Sequence, residues 1–293
     1  MAVAARIRTR KRPLGAMVAR EWPNLLAKAV LFVVALVMLA PLLWMISTSL
    51  KPESEIFLNV PRWIPWPVTF HNYQELANRA GEAPVFRWLF NSVFVATSHT
   101  MLVLFVDSLA AYAFARLTFP GREPLFMLVV ATMIIPGQVT LIPVFLIIQK
   151  LHWFNTYQAL IVPGAAGGFG VFLLRQFLLG IPRDLEEAAQ LDGCGRWTIY
   201  WRVILPLARP ALATLAIFSF LGSWNDFMWP LIITNEIAMR TLPIGITIFQ
   251  GRYTTEYGVM MAAATVATLP VILAFLLFQK QIIKGIALSG LKA

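Results

Sequence analysis

The sequence predicts an all-α membrane protein of six transmembrane helices with both termini on the cytoplasmic side. Three observations predict it. Hydrophobic residues make up 59% of the 293 residues and charged residues only 13%, about half the charged share of an ordinary soluble domain. The apolar residues gather in six runs near the length that crosses a hydrocarbon core, about 20 residues at a helical rise of about 1.5 Å each. The basic residues are divided unequally between the segments that join those runs.

The first run covers residues 27–48. Arg6, Arg8, Arg10, Lys11 and Arg12 precede it within a basic N-terminal segment, residues 1–26. The run is longer than the apolar core of a secretion signal, so it reads as a retained span. The second run covers 89–115 and the third 125–148, where Pro136-Gly137 predicts a kink. The fourth covers 159–179 and contains the glycine-rich stretch 164–170. The fifth covers 211–233 and the sixth 258–278. The runs are continuous rather than alternating, which favours helices over a barrel. The membrane domain is thus expected over 27–285, with a cytoplasmic tail at 286–293.

An even number of spans puts both termini on one side, and the lysines and arginines say which. With the N-terminus inside, seven basic residues lie before or at the very start of the first span, Lys28 the last of them, and Arg116 and Arg122 follow the second. Arg175, Arg183, Arg196, Arg202 and Arg209 lie between the fourth and fifth, and Lys280, Lys284 and Lys292 close the chain. The outer segments hold only Lys51, Arg62, Arg79, Arg87, Lys150, Arg240 and Arg252. Trp63, Trp66, Trp88 and Trp153 fall on the outer side, where interfacial tryptophans are expected.

Several function classes fall away. The net charge of +10 would suit nucleic acid, but the basic residues sit between apolar runs and no recognition motif accompanies them. Cys194 is the sole cysteine, so an internal disulfide is impossible. A phosphate-binding loop needs a lysine after its glycines. The stretch 164–170 has none, and close helix packing explains its glycines. The chain is therefore expected to be no enzyme and to hold no cofactor of its own.

The long cytoplasmic segment 180–210 carries the functional signal. Pro182 suits a first helical turn, and Asp184, Glu186 and Glu187 follow near the positive helix end. Leu185, Ala188, Ala189 and Asp192 share one face, and Gly193 stops the helix. A second piece, 196–205, ends at Pro206. This is a helical bracket outside the membrane whose alanines allow close approach by another body. The residues alone leave open an interfacial hairpin lying on lipid headgroups.

Glu187-Ala188-Ala189, Gly193 after three residues, and Val203-Ile204-Leu205-Pro206 after nine more resemble the EAA loop of ABC importer permeases. Val203 stands where isoleucine is usual. Asn91-Ser92, Asn155-Thr156-Tyr157, Trp224-Asn225-Asp226-Phe227 and Thr241-Leu242-Pro243-Ile244-Gly245 extend the resemblance. They are similar to the shorter permease of carbohydrate importers, the maltose transporter MalG type, with a MetI-like fold. The resemblance implies a second homologous permease subunit, two copies of an ABC ATPase that use ATP and Mg, and an extracytoplasmic sugar-binding protein. It makes Glu187, Ala188, Ala189, Gly193, Asp184 and Arg196 the ATPase-coupling residues.

Polar residues inside the spans mark a path or a buried partner. Trp224, Asn225, Asp226 and Gln138 are the expected substrate-path residues, offering the amide, carboxylate and aromatic groups that suit a sugar. Asp107, with Ser108 beside it, reads as structural or as lying near the cytoplasmic half of the path. The outer tip Arg252, Tyr253, Thr254 and Thr255 is the expected contact for the binding protein. Two other classes fit a multi-span chain, a secondary transporter and a membrane-anchored sensor or assembly protein. Gradient-driven uptake without ATP marks the first, and a deletion that leaves uptake intact marks the second.

Overall fold

The computed structural model describes residues 14–250 and 256–290, apart from 59, 61 and 80. Every regular element among them is helical. In chain order these are α1 (Leu14–Ser49), α2 (His71–Asn78), α3 (Val85–Arg116), α4 (Arg122–Ala131) and α5 (Gly137–Lys150). Then come α6 (Tyr157–Ile161), α7 (Gly168–Leu179) and α8 (Asp184–Leu191). Next, α9 (Arg196–Ile199), a π turn (Tyr200–Ile204) and α10 (Leu205–Leu207) run on as one helix. The chain ends through α11 (Arg209–Trp224), α12 (Met228–Ile233), α13 (Leu242–Gly245) and α14 (Tyr257–Gly290).

The all-α class stands, but six membrane-length helices are not found. Among the described residues two helices are long and apolar enough to cross a membrane, Ala27–Ser49 and Val85–Arg116. The number reaches four if each of two bent pairs is one span: Arg122–Ile134 with Gly137–Lys150, bent by 101°, and Arg196–Leu207 with Arg209–Trp224, bent by 77°. Gly168–Leu179 and Tyr257–Leu273 are shorter apolar helices. The expected ends of the chain, 1–13 and 291–293, lie outside the described residues, so the cytoplasmic placement of the termini has no structural counterpart.

Each break has a local cause. Ile135 is extended, as a residue before proline prefers, and Pro136 opens the next helix rather than continuing the last. The fourth run is interrupted at Gly164, whose φ of +76° suits glycine far better than other residues. In the fifth, α11 ends at Trp224, and Asp226 accepts the Trp229 amide at 3.3 Å, an arrangement that starts a new helix. Pro210 sits in the first turn of α11, which begins immediately after Ala208. The kink at Pro136-Gly137 and the start of the fifth run after Pro210 were expected, whereas hydrophobic continuity predicted uninterrupted spans through Gly164 and Trp224, where backbone chemistry divided them.

Helix α3 is the axis of the bundle, packing along both α7 and α11, while α1 lies against α14. Three apolar clusters hold the molecule. One joins α3, α7 and the Arg196–Leu207 helix through Ala111, Tyr112, Leu174, Leu178, Tyr200 and Ile204. A second, at the opposite end, gathers Leu76, Trp88, Trp224, Leu242 and Val259. The third contains Val95, Ile148, Leu160 and Ile233.

Residues that carried the family resemblance fasten the end opposite the hairpin. Asn91 donates to the Ala238 and Arg240 carbonyls at 2.8 and 2.9 Å and accepts from the Tyr157 hydroxyl at 2.6 Å. Ser92 accepts the Leu242 amide at 2.8 Å. Asn155 accepts the amides of Asn235 and Glu236, both at 3.2 Å. Trp88 is fully buried rather than interfacial, and it donates to the Ile237 carbonyl at 2.6 Å. A Cβ on Gly245 would stand 2.1 Å from the Trp88 ring, so only glycine permits that contact.

At the same end Glu53 accepts the amides of Tyr257 and Gly258 at 3.0 and 2.9 Å, closing the start of α14. Arg79 bridges Glu75 at 3.1 Å and Glu256 at 2.5 Å, and its hydrogen bond to Glu256 raises its pKa. Lys51 is buried beneath this region, donating to the Arg62 carbonyl with its ammonium 4.3 Å from the Trp44 ring centre. Burial pushes its pKa down, and Glu55 partly opposes that.

Candidate functional site: an anchored hairpin and a polar cavity

The hairpin begins at α8, with Asp184, Glu186 and Glu187 in its first turn. Pro182 lies just before the helix rather than inside it. Gly193 has φ +81° and forms the stop that the sequence predicts. Its amide donates to the Gln190 carbonyl at 2.9 Å, and the Cys194 amide reaches back to Ala189 at 2.9 Å. That pair of bonds is a Schellman closure. It turns the chain sharply into the helix Arg196–Leu207. Pro206 cannot supply the amide an α-helix requires one turn back, and the preceding turn is a π turn.

The two faces of α8 differ. Glu186 is buried and faces inward, with Oε1 3.0 Å from Arg116 Nε at the end of α3. The side chains are 11% and 3% exposed, so the pair is largely desolvated. The Nε–H does not point along the line between them, and the contact is ionic rather than a well-aligned hydrogen bond. Arg116 also donates to the carbonyls of Leu178 and Ile181. It therefore clamps the end of α7 and the start of the hairpin together. The tie is doubled by the Ser108 and Tyr200 hydroxyls, 2.8 Å apart.

The outward face is different in kind. Asp184, Glu187, Ala188, Gly193 and Arg196 are exposed, and Ala189 is half-buried against the core. Large apolar side chains flank them, with Leu191 90% and Trp197 66% exposed. The structure thus brings all six residues expected at the coupling site onto one hairpin. Sequence reasoning missed the inner residues Glu186 and Arg116. Glu186 is one of three acids in a single turn, and nothing local separates it from its neighbours.

Between α3, α5, α7 and α11 lies an open cavity of about 600 Å³. Asp107, His99, Gln138, Ser219, Asp226 and the Trp229 ring line it. Asp107 Oδ1 accepts the Gly167 amide at 3.2 Å, and Oδ2 is buried without a partner among the described residues. A Cβ on Gly170 would lie 1.9 Å from that oxygen. His99 Nδ1 is 2.8 Å from the Ile161 carbonyl oxygen, which can only accept, so Nδ1 is the donor. Of the four expected path residues, Gln138 and Asp226 share this cavity. Trp224 is buried in the core on Phe220, and with Asn225 it borders a separate cavity of about 370 Å³. The expected binding-protein contacts Arg252, Tyr253, Thr254 and Thr255 lie outside the described residues.

Residues 107–287 match the family described as the binding-protein-dependent transport system inner membrane component. The chain belongs to this family. Asp107, the hairpin and most of the cavity wall fall inside the matched stretch of the permease. The permease is 38% identical over 261 residues to the arabinooligosaccharide transport permease AraQ of Bacillus subtilis, covering 88% of this chain and 92% of that one. It is 36% identical to the trehalose/maltose transport permease MalG of Thermococcus litoralis, covering 88% and 93%. It is also 36% identical to the sulfoquinovosyl glycerol permease SmoH of Agrobacterium fabrum, covering 87% and 89%. A crystal structure of a bacterial importer of the acidic polysaccharide alginate matches the fold with a TM-score of 0.79, at 20% identity, over 96% of this chain and 99% of that chain. The permease is a multi-pass membrane protein of an ABC import system. Among its described residues no cluster of three or more His, Cys, Asp or Glu side chains is placed to hold a metal ion.

Proposed function

We propose that this permease forms half of the translocation path of an ATP-driven, binding-protein-dependent carbohydrate importer of the maltose type. Its hairpin, on the cytoplasmic side, docks on a separate ATPase that uses ATP and Mg. A second, homologous permease completes the path, and an extracytoplasmic sugar-binding protein delivers the substrate. The names of the relatives, which transport arabinooligosaccharides, trehalose or maltose, support the carbohydrate class.

The two-faced hairpin carries the mechanical reading. Its inner face is tied to α3 and α7 by Arg116 and Glu186, while its outer face presents Glu187, Ala188 and Leu191. A lever needs both a rigid attachment to what it moves and an open surface for what pushes it. Closing of the ATPase dimer against the outer face is transmitted through Arg116 to the end of α3, whose mid-length residues line the cavity. Gln138 and Asp226 line the sugar path on this subunit. Trp224 and Asn225 support it from the adjoining core, and Arg252, Tyr253, Thr254 and Thr255 meet the binding protein.

The test is the reconstituted importer carrying Glu187→Ala. Stimulated ATP hydrolysis and sugar uptake should both fall, or hydrolysis should persist while uptake is lost. Normal values for both would overturn the coupling role.

A further inference from the structure

We propose that the loop joining α1 to α2 is a lipid-binding surface. It is seated at the bilayer interface of the leaflet opposite the hairpin, and there it fixes the depth of α1 and α14.

The polarity of the loop is inverted. Val60, Trp63, Ile64, Trp66 and Val68 are all more than half exposed, with Ile64 at 80% and Trp66 at 75%. Arg62 is the one charged side chain across residues 56–70. The polar contacts point the other way, onto the end of α1, where Ser47 and Lys51 are buried. Ser47 Oγ donates to the Trp63 carbonyl at 2.5 Å, and the Lys51 ammonium donates to the Arg62 carbonyl. The Thr69 amide donates to the Leu50 carbonyl at 2.9 Å. A loop built for water turns its apolar side chains inward, and an exposed apolar patch of this kind marks a partner or a membrane. Pro65 and Pro67 flank Trp66 and have no amide hydrogen to leave unpaired beside lipid.

Depth selects lipid as the partner. The Trp63 ring meets the Trp44 ring edge to face, with centres 5.1 Å apart. Trp44 belongs to the membrane-length helix Ala27–Ser49, whose most apolar stretch is not buried by the rest of the chain. Trp44 precedes the end of that helix by about 7.5 Å along the axis, at a rise of about 1.5 Å per residue. The whole helix rises about 34 Å, against a hydrocarbon core of about 30 Å. The contact between the two rings therefore lies at the edge of the hydrocarbon layer. Leu43 and Ile46 of α1 are exposed at the same level, so the loop extends the lipid-facing surface of a span. Tryptophan rings settle in this layer, and an arginine there reaches out to the headgroups.

The same segment holds the last helix. Glu53 accepts the first amides of α14, and the Phe57 ring centre is 4.7 Å from that of Tyr257. Seating the loop in lipid holds the two long helices at one depth.

The experiment uses the complete importer in liposomes of phosphatidylethanolamine and phosphatidylglycerol. With Cys194→Ala in this chain and the cysteines of the other subunits removed, spin labels are placed through Ile64→Cys and Trp66→Cys. Each label should collide more with oxygen, which partitions into lipid, than with a water-soluble nickel chelate. The reverse order would put the loop in water, and exclusion of both reagents would put it under another protein chain; either overturns the proposal. A second measurement needs no cysteine. Lipids brominated on the acyl chain near the headgroup should quench the tryptophan emission of the wild-type importer. Trp63→Phe with Trp66→Phe should lose a larger share of that quenching than of the emission itself. Quenching that falls only in proportion to emission overturns the proposal.

Discussion

Arg116 at the end of α3 and Glu186 at the start of α8 lie 3.0 Å apart, 70 positions separated in sequence, and are nearly sealed from solvent. Removing one partner strands the other charge in a low-dielectric site, which costs about 3–5 kcal/mol, more than the pair contributes over an apolar replacement. Glu186→Ala should therefore lower the thermal midpoint of the purified importer and uncouple hydrolysis from uptake. The double change Arg116→Met with Glu186→Leu should recover most of the stability. Recovered stability without recovered coupling would assign the pair a mechanical role; a single variant as stable as the wild type would contradict the burial.

Gly193 offers a sharper discrimination because its requirement is conformational. Its φ is +81°, and nothing lies within 4 Å of where a Cβ would stand. Space is available, so any penalty comes from backbone strain, about 1–2 kcal/mol for an ordinary L-residue in this region. Gly193→Ala and Gly193→Leu should impair stimulated ATP hydrolysis. Gly193→Asn, which tolerates the left-handed region, should keep most of it. Equal loss in all three would point to a steric requirement of the docking partner instead.

The hairpin was legible because its signals are local. A left-handed glycine, acids in a first turn and paired prolines act within a few residues. The kink at Pro136-Gly137 was legible, but the breaks in the fourth and fifth runs were not, because apolar composition continues through 162–167 and resumes directly after Asn225 and Asp226 while the backbone turns. Trp224 and Asp226 are two positions apart, yet α11 ends between them and they border different cavities. Arg116 and Glu186 were hidden for the opposite reason. Their contact is set by how α3 and α8 pack, which no spacing in the chain encodes. The count of six spans failed on the same ground, since hydropathy measures length of apolar chain and not continuity of helix.

Gly170 and Asp107 give a prediction about the cavity wall. A methyl group at position 170 would fall 1.9 Å from Asp107 Oδ2. Relief requires the carboxyl group to swing away or α7 to move from α3, and overpacking of this kind costs about 1–3 kcal/mol. Gly170→Ala should lower the thermal midpoint, and combining it with Asp107→Ala should restore part of the loss by removing the clashing atoms. The interaction is read as a double-mutant cycle on thermal unfolding in detergent. Strictly additive effects would mean that the two residues do not touch.

The start of α14 tests the opposite end of the molecule. Glu53 accepts both the Tyr257 and Gly258 amides, so one side chain satisfies two of the donors a helix start leaves free. Its negative charge also faces the positive end of the helix. Glu53 is exposed, so the electrostatic part is screened and the expected cost of Glu53→Ala is about 0.5–1 kcal/mol. Glu53→Gln keeps one acceptor oxygen and removes the charge, and should fall between the wild type and the alanine variant. Hydrogen exchange at the Tyr257 and Gly258 amides is the direct readout. Both should exchange faster in Glu53→Ala at low salt. Protection equal to the wild type would mean that the carboxylate does not hold this helix end.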